Sequence, residues 1–139
     1  MVDTEIFSRR LDALESYLNR LRSLGEAAEP AYLAEPAIHD LAARYLHLAV
    51  EAAIDLANHW IADQGLRTPD SNRDAFTVLE EADEIEAPLA ERLRGWAGFR
   101  NVLVYDYISI DHRIAYAAIR DELDDLAEFR SWAVGKIGP

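Results

Sequence analysis

The sequence has 139 residues, among them 26 acidic and 14 basic side chains and no cysteine, for a net charge of −12. This length suffices for one domain with its own core, so we predict a single domain over residues 1–139, and the lack of cysteine excludes disulfides, thiolate metal sites and a cysteine nucleophile. The acidic balance disfavours sequence-independent binding along nucleic-acid backbones, but it is compatible with RNA in a locally basic cleft, with a basic partner, or with a salt-adapted host.

We expect no targeting segment at the start of this sequence and predict that it continues as a helix. Residues 1–5 lack the basic region and apolar run of a secretory signal, and no stretch reaches the roughly 20 apolar residues of a membrane span, so we expect a cytoplasmic protein without membrane contact. Residues 3–24 are predicted as the first helix, with Asp3 or Thr4 as its N-cap. Its apolar positions repeat like a heptad, which favours pairing within the domain or across a dimer. They are Phe7, Leu11, Leu14, Leu18 and Leu21.

Four more helices are predicted between turns formed by glycine and proline. Residues 37–63 form the longest, residues 72–82 a short one and residues 88–107 a fourth. The polar side of the longest helix carries Arg44, Glu51, Asp55 and His59. The fifth helix spans residues 111–137, with Asp111 as its N-cap. Its expected core positions are Ile114, Ala118, Leu126, Phe129 and Ala133. Because short connections favour antiparallel neighbours, we predict an all-α, up-down bundle of four or five helices.

Arg100 lies on the apolar stripe of the fourth predicted helix. The stripe is formed by Leu89, Leu93, Trp96 and Leu103. At about 100° per residue Arg100 falls in its middle, and Tyr107 lies one heptad further along the same line. An arginine at such a position is costly unless it is paired, so we expect it to meet a carboxylate or to point into a cleft or interface. Glu51 and Asp55 are the candidate carboxylates.

Tyr105 points away from this stripe. It lies about 140° around an ideal helix from Arg100, so the two side chains cannot converge within one straight helix. They can act together if the helix ends near Val104, or if a second subunit contributes its own copy of the segment across a two-fold axis.

The octapeptide Arg100-Asn101-Val102-Leu103-Val104-Tyr105-Asp106-Tyr107 resembles the signature of the HepT-like branch of the HEPN superfamily. That signature reads Arg, a polar residue that is often Asn, three residues, His, one residue and Tyr; here Tyr105 takes the place of the histidine. The resemblance extends over most of the chain, including the segment from Glu51 to His59. It implies a homodimeric, HEPN-like helical protein of a family with many ribonuclease toxins, whose two motifs line one cleft at the dimer interface.

The resemblance also implies chemical roles. Metal-independent RNA cleavage uses the 2′-hydroxyl as nucleophile, and it needs a group that moves protons and a cation that stabilises charge on the phosphate. Arg100 would be the phosphate clamp, Asn101 a polar assistant, and Tyr105 would occupy the acid/base position. An unperturbed tyrosine titrates at about 10 and a histidine at about 6.5, so the replacement predicts weakened or absent cleavage of the family type. Rescue by Arg100 alone or by nearby His112 stays open.

Tyr107 matches the last position of the signature. In type VII toxin–antitoxin pairs an MNT-type nucleotidyltransferase attaches AMP to this tyrosine and silences the toxin, so the resemblance implies such an antitoxin as partner and AMPylation of Tyr107. The alternative is a tyrosine that packs on its stripe and makes one hydrogen bond. Glu51 and Asp55 would support the cleft or the ion pair. Their spacing with His59 is superficially like a metal site, but nothing else supports one, so we predict no metal and no cofactor.

Three functions are compatible with these observations. The first is a HepT-like ribonuclease toxin controlled by an MNT-type antitoxin, with RNA, tRNA being one candidate, as its substrate. The second is a binding or regulatory protein that has lost cleavage but keeps the dimer and the partner. The third is a HEPN domain that binds nucleotide or substrate for a nucleotidyltransferase. We predict the first, an endoribonuclease, and keep the catalytically decayed partner protein as the alternative.

Overall fold

The computed structural model describes residues 3–105 and 107–137, and at Tyr105 and Tyr107 it describes the backbone alone. Within these residues the chain forms seven α-helices, one short 3₁₀ turn and no strand, so the predicted all-α bundle is confirmed. The helices are α1 (Thr4–Leu24), α2 (Glu29–Ala34), α3 (Pro36–Asp63), α4 (Asn72–Glu81), α5 (Ala87–Tyr105), α6 (His112–Asp121) and α7 (Leu123–Lys136). The 3₁₀ turn spans Tyr107–Ser109. None of the helices in the described ranges combines the length and apolar character of a membrane span.

The centre of the bundle is the contact between α1 and α3. Asp3 caps α1, because its carboxylate accepts hydrogen bonds from the backbone N–H groups of Glu5 and Ile6 at 3.1 and 3.2 Å. All five positions of the predicted heptad pattern are buried: Phe7, Leu11, Leu14, Leu18 and Leu21. Buried alanines on α3 allow the neighbouring helices to approach its backbone closely. These are Ala42, Ala49, Ala53 and Ala57.

α5 packs against both α3 and α4 and carries the motif. Its predicted apolar stripe is buried at Leu89, Leu93, Trp96 and Leu103. The helix ends at Tyr105, two residues before the predicted end, and the chain passes through the 3₁₀ turn into α6. The expectation that Tyr107 continues the stripe of Arg100 was therefore wrong, because Tyr107 no longer belongs to that helix.

The last predicted helix is divided into α6 and α7. Asp111 caps α6 as predicted, since its carboxylate accepts from the backbone N–H of Arg113 at 2.9 Å. The helix breaks at Glu122, whose φ of −126° and ψ of 0° leave the helical region. Of the expected core positions, Ile114 is wrong: its side chain is 59% exposed. The buried face of α6 is formed by Ala115, Ala118 and Ile119, so Ile114 lies at the edge of that face.

Candidate active site

Arg100 reaches from α5 to the side of α3. Its Nε donates a short hydrogen bond to the Glu51 carboxylate, and its Nη1 donates to the side-chain oxygen of Asn101 at 3.4 Å. The side chains of Arg100 and Glu51 are 18% and 30% exposed, so the pair lies at the edge of the core and remains in contact with solvent. The predicted pairing of Arg100 with a carboxylate is therefore confirmed for Glu51. A guanidinium fixed in this way presents a permanent, planar charge at the surface beside the motif.

Asp55 lies one helical turn beyond Glu51, and the structure places it against α1. Its carboxylate forms an ion pair with Arg10 at 3.5 Å. Burial raises the pKa of Asp55, and the Arg10 guanidinium offsets part of that effect. The helical spacing placed Asp55 and Glu51 on one polar face. In the structure Asp55 pairs with Arg10 of α1, whereas Glu51 pairs with Arg100 of α5.

His47 lies one turn before Glu51 on the same face of α3. Its Nε2 is 3.6 Å from the Glu51 carboxylate, and its Nδ1 is 3.3 Å from Nη1 of Arg44. Because a guanidinium can only donate, Nδ1 must be the accepting nitrogen, and the proton of the neutral ring then lies on Nε2, towards Glu51. Arg44, His47, Glu51 and Arg100 form a continuous row of polar contacts, which we call the polar row.

A cavity of about 300 Å³ opens beside the polar row. It lies between α3, the last turn of α5 and the start of α6, and its size is at the lower end of the range for small-ligand sites. Its lining residues are Asp40, Ala43, Arg44, His47, Leu103, Val104, Ile110 and His112. Two members of the polar row and two residues of the motif therefore share one concave surface.

Two further histidines meet beside the same cavity, and one of them, His112, lines it. His112, the first residue of α6, stacks on His39 of α3 with 4.0 Å between ring centroids and 29° between ring planes. Burial, with a smaller effect of His39, lowers the pKa of His112. His112 is the histidine that sequence analysis had named as nearby, and the structure places it at the cavity wall.

Comparison with known proteins identifies the family. A sequence model described as ribonuclease HepT-like matches residues 14–131. The chain belongs to the HepT-like ribonuclease family. It is similar to an mRNA nuclease HepT of Shewanella oneidensis, with 37% identity over 84 residues that cover 60% of this chain and 63% of that protein. It is also similar to a tRNA nuclease HepT of Aphanizomenon flos-aquae, with 27% identity over 118 residues that cover 85% and 80% of the two chains.

The HepT-like fold also matches a solved complex. The tri-AMPylated HEPN toxin of Shewanella oneidensis, determined in complex with an MNT antitoxin, superposes with a TM-score of 0.85 at 27% identity. The match covers 95% of this chain and 97% of that one. The described helices thus follow the arrangement of that HEPN toxin over nearly their whole length.

Two motif positions of this HepT-like chain have side chains outside the described residues. They are Tyr105, expected at the acid/base position, and Tyr107, expected as the modification site. Their backbone positions are described: Tyr105 is the last residue of α5 and Tyr107 the first of the 3₁₀ turn. α5 therefore ends one residue after Val104, which is the condition under which the sequence allowed Tyr105 to act with Arg100.

Sequence reasoning assigned no role to His47 or His39 of this HepT-like chain. The available signal for His47 was its spacing of four residues before Glu51, which puts both on one helix face. The same spacing of four residues after Glu51 led the sequence analysis to consider Asp55 and His59. His59 is exposed on α3. The contact between His39 and His112 joins helices that are distant in sequence, so it cannot be predicted from local residue spacing.

Proposed function

We propose that this protein is a HepT-like ribonuclease toxin, an endoribonuclease that cleaves RNA without a metal at a cleft beside Arg100. The observation that carries the proposal is the motif arginine, which Glu51 orients within the last two turns of α5, in the polar row beside a cavity. The mRNA nuclease and tRNA nuclease relatives support RNA as the substrate. The solved HEPN toxin–MNT antitoxin complex supports an MNT-type antitoxin as the partner.

In this proposal Arg100 binds the scissile phosphate. Its guanidinium is permanently charged and can form two parallel hydrogen bonds to phosphate oxygens. Glu51 and Asn101 hold it before the substrate arrives, which reduces the cost of orienting it in the transition state. Arg44, which lines the cavity, supplies a second cation in the polar row. In this proposal both guanidinium groups bind phosphates of the RNA.

His47 is proposed as the general base. Binding of a phosphate by Arg44 releases Nδ1 of His47, which then accepts the proton of the 2′-hydroxyl. The 2′-oxygen attacks the phosphorus and forms a 2′,3′-cyclic phosphate, while the bond to the 5′-oxygen breaks and that oxygen takes a proton. The Glu51 carboxylate, beside Nε2, stabilises the imidazolium that forms. Tyr105 is proposed as the acid that protonates the 5′-oxygen, because a neutral tyrosine is a usable acid and a poor base at pH 7.

His47→Gln is expected to lower the cleavage rate about 100-fold or more, since a positioned general base typically contributes about 10²–10⁴. Glutamine keeps a polar side chain for Arg44 and Glu51 but cannot carry the proton. The matched control is His59→Gln, an exposed histidine on the same helix, which should cut like the parent. The measurement is the single-turnover rate on tRNA and on bulk RNA, for protein expressed without its partner. Equal rates for the parent and both variants would exclude His47 as the base.

We also propose a homodimer whose interface includes the motif. Val102, Ile108 and Ile114 are 40%, 92% and 59% exposed and lie on α5, the 3₁₀ turn and α6. Phe99 and Ile114 line an adjoining groove of about 490 Å³ between α5 and α6. Exposed apolar side chains favour burial against another surface, and these three lie on consecutive elements of the chain. A two-fold axis at this face would bring two motifs to one cleft.

Tyr107 is proposed as the site where the antitoxin acts. The tyrosine oxygen attacks the α-phosphorus of ATP, AMP is transferred and pyrophosphate leaves. The neighbouring Ile108 and Ser109 are exposed, so the 3₁₀ turn is presented at the surface. Incubation with an MNT-type enzyme and ATP is expected to add AMP to peptides that contain Tyr107, as read by mass spectrometry, and to stop RNA cleavage. Tyr107→Phe is the control. Unmodified parent peptides, or equal modification of the control at this segment, would refute the assignment.

A further inference from the structure

A second group of polar side chains lies at the same cavity, outside the polar row. It consists of His39 and Asp40 on α3 and His112 on α6. One ligand-type atom from each of the three lies within 4.8 Å of the others. Two imidazoles and a carboxylate are a donor set that zinc and similar divalent metals use in proteins. This group differs from the Glu51, Asp55 and His59 spacing for which the sequence predicted no metal.

The hydrogen bonds of His39 direct a lone pair towards Asp40. Nδ1 of His39 is 3.1 Å from the backbone carbonyl of Tyr32. A carbonyl can only accept, so Nδ1 carries the proton and Nε2 of the neutral ring is unprotonated. That nitrogen is 3.5 Å from the Asp40 carboxylate. Two acceptors at this distance offer a position for a cation between them, and metal-binding histidines are commonly held by such a bond from the other ring nitrogen.

The distance between the two atoms also suits a metal. With metal–ligand bonds of about 2.0–2.1 Å, two ligands of a tetrahedral zinc site lie about 3.3 Å apart. The separation of 3.5 Å between Nε2 of His39 and Asp40 is close to that value. The pair would therefore need only a small side-chain adjustment to hold one ion.

His112 supplies an available nitrogen and the cavity supplies room. Nδ1 of His112 is buried and has no hydrogen-bond partner among the described residues. Its ring is stacked on that of His39, and both His112 and Asp40 line the cavity of about 300 Å³. A buried polar atom without a partner is uncommon and calls for an explanation such as a bound water or ion.

We propose that His39, Asp40 and His112 bind one divalent metal ion of the zinc class, with a fourth position open to the cavity. The ion would join the N-terminal part of α3 to the first residue of α6. Only Ile110 and Asp111 separate α6 from the 3₁₀ turn that begins at Tyr107, so the metal would restrain the position of that turn relative to α3. Its role is structural, and it does not depend on the proposed nuclease chemistry.

The test is titration of the chelator-treated full chain with Zn²⁺ and with Co²⁺, read by calorimetry and by the visible absorption of bound cobalt. The parent is expected to bind one ion per chain, and His39→Gln, His112→Gln and Asp40→Asn are each expected to weaken binding at least tenfold. His59→Gln, an exposed histidine on α3, is the matched control and should bind like the parent. With no cysteine in the chain, no thiolate contributes to the signal.

Melting curves in chelator separate loss of the site from loss of the fold. The variants should unfold near the parent temperature without metal, and zinc should raise the melting temperature of the parent and of His59→Gln alone. If His39→Gln fails to fold, the binding measured for Asp40→Asn and His112→Gln still tests the site. The proposal is overturned if the parent binds no stoichiometric ion, or if binding is unchanged in any folded variant at His39, Asp40 or His112.

Discussion

Arg100→Ala is expected to reduce RNA cleavage by about 100- to 1,000-fold, because loss of one preorganised group that stabilises transition-state charge typically costs that much. The fold should survive. Glu51 is 30% exposed and can be hydrated when its partner is removed, so the loss of stability should not exceed about 1 kcal/mol. The measurement is the single-turnover rate on RNA together with urea denaturation of the same samples.

Arg94→Ala is the matched control for this experiment. Arg94 is also on α5 and also paired with a carboxylate, Glu80 at 2.9 Å, but it lines neither the cavity of the motif nor the groove of the proposed dimer interface. The variant should therefore cut like the parent. Arg100→Lys keeps the charge and loses the planar fork, so we expect a rate between those of the parent and the alanine variant. Equal loss in Arg94→Ala and Arg100→Ala would mean that general charge, and not the clamp, governs cleavage.

Tyr105→His is expected to raise the cleavage rate at pH 6 by about tenfold and to change its pH dependence. A histidine acid must be protonated, so the rate of this variant should fall as pH rises through about 6.5, the ordinary histidine value. The parent acid is a tyrosine, which stays protonated up to about pH 10, and its rate should show no such fall. The measurement is kcat/KM between pH 5 and 9.

Tyr105→Phe completes the comparison, because it keeps the ring and removes the acid. It should cut at least about tenfold more slowly than the parent. If the parent and the histidine variant have the same pH profile, position 105 does not act as the acid. A silent parent with an active histidine variant would instead show a catalytic site that has decayed on an intact scaffold, which is the alternative function.

The main helices could be predicted because their burial is periodic. The seam of α1 and the stripe of α5 place leucines at regular helical spacing, and all of these positions are buried. The break at Glu122 could not be predicted in the same way. The break contains neither glycine nor proline. Both α6 and α7 pack against α1 and α3, but α6 also packs against α2 and α7 against α5. A single continuous helix was therefore assumed, and with it a core position for Ile114 that the structure does not provide.

The ion pair at the candidate site could be predicted because an unpaired arginine on an apolar stripe is costly to bury. A charged group on an apolar stripe required a partner, and that argument led from Arg100 to Glu51. Extending the stripe to Tyr107 failed because the helix ends at Tyr105. The contact between His39 and His112 depends on how α6 returns to α3, which residue spacing does not encode.

Cleavage by the purified parent in EDTA is the most direct test of whether this chain cuts RNA through its own side chains. We expect cutting in chelator, products with 2′,3′-cyclic phosphate and 5′-hydroxyl ends, and no cutting of a strand that carries 2′-deoxyribose at the cleavage site. Loss of the metal proposed at His39, Asp40 and His112 should leave the chemistry itself in place. RNA that stays intact with the parent in EDTA, or a deoxy-substituted strand cut equally well, would show that the chain does not cut RNA by metal-independent attack of the 2′-hydroxyl.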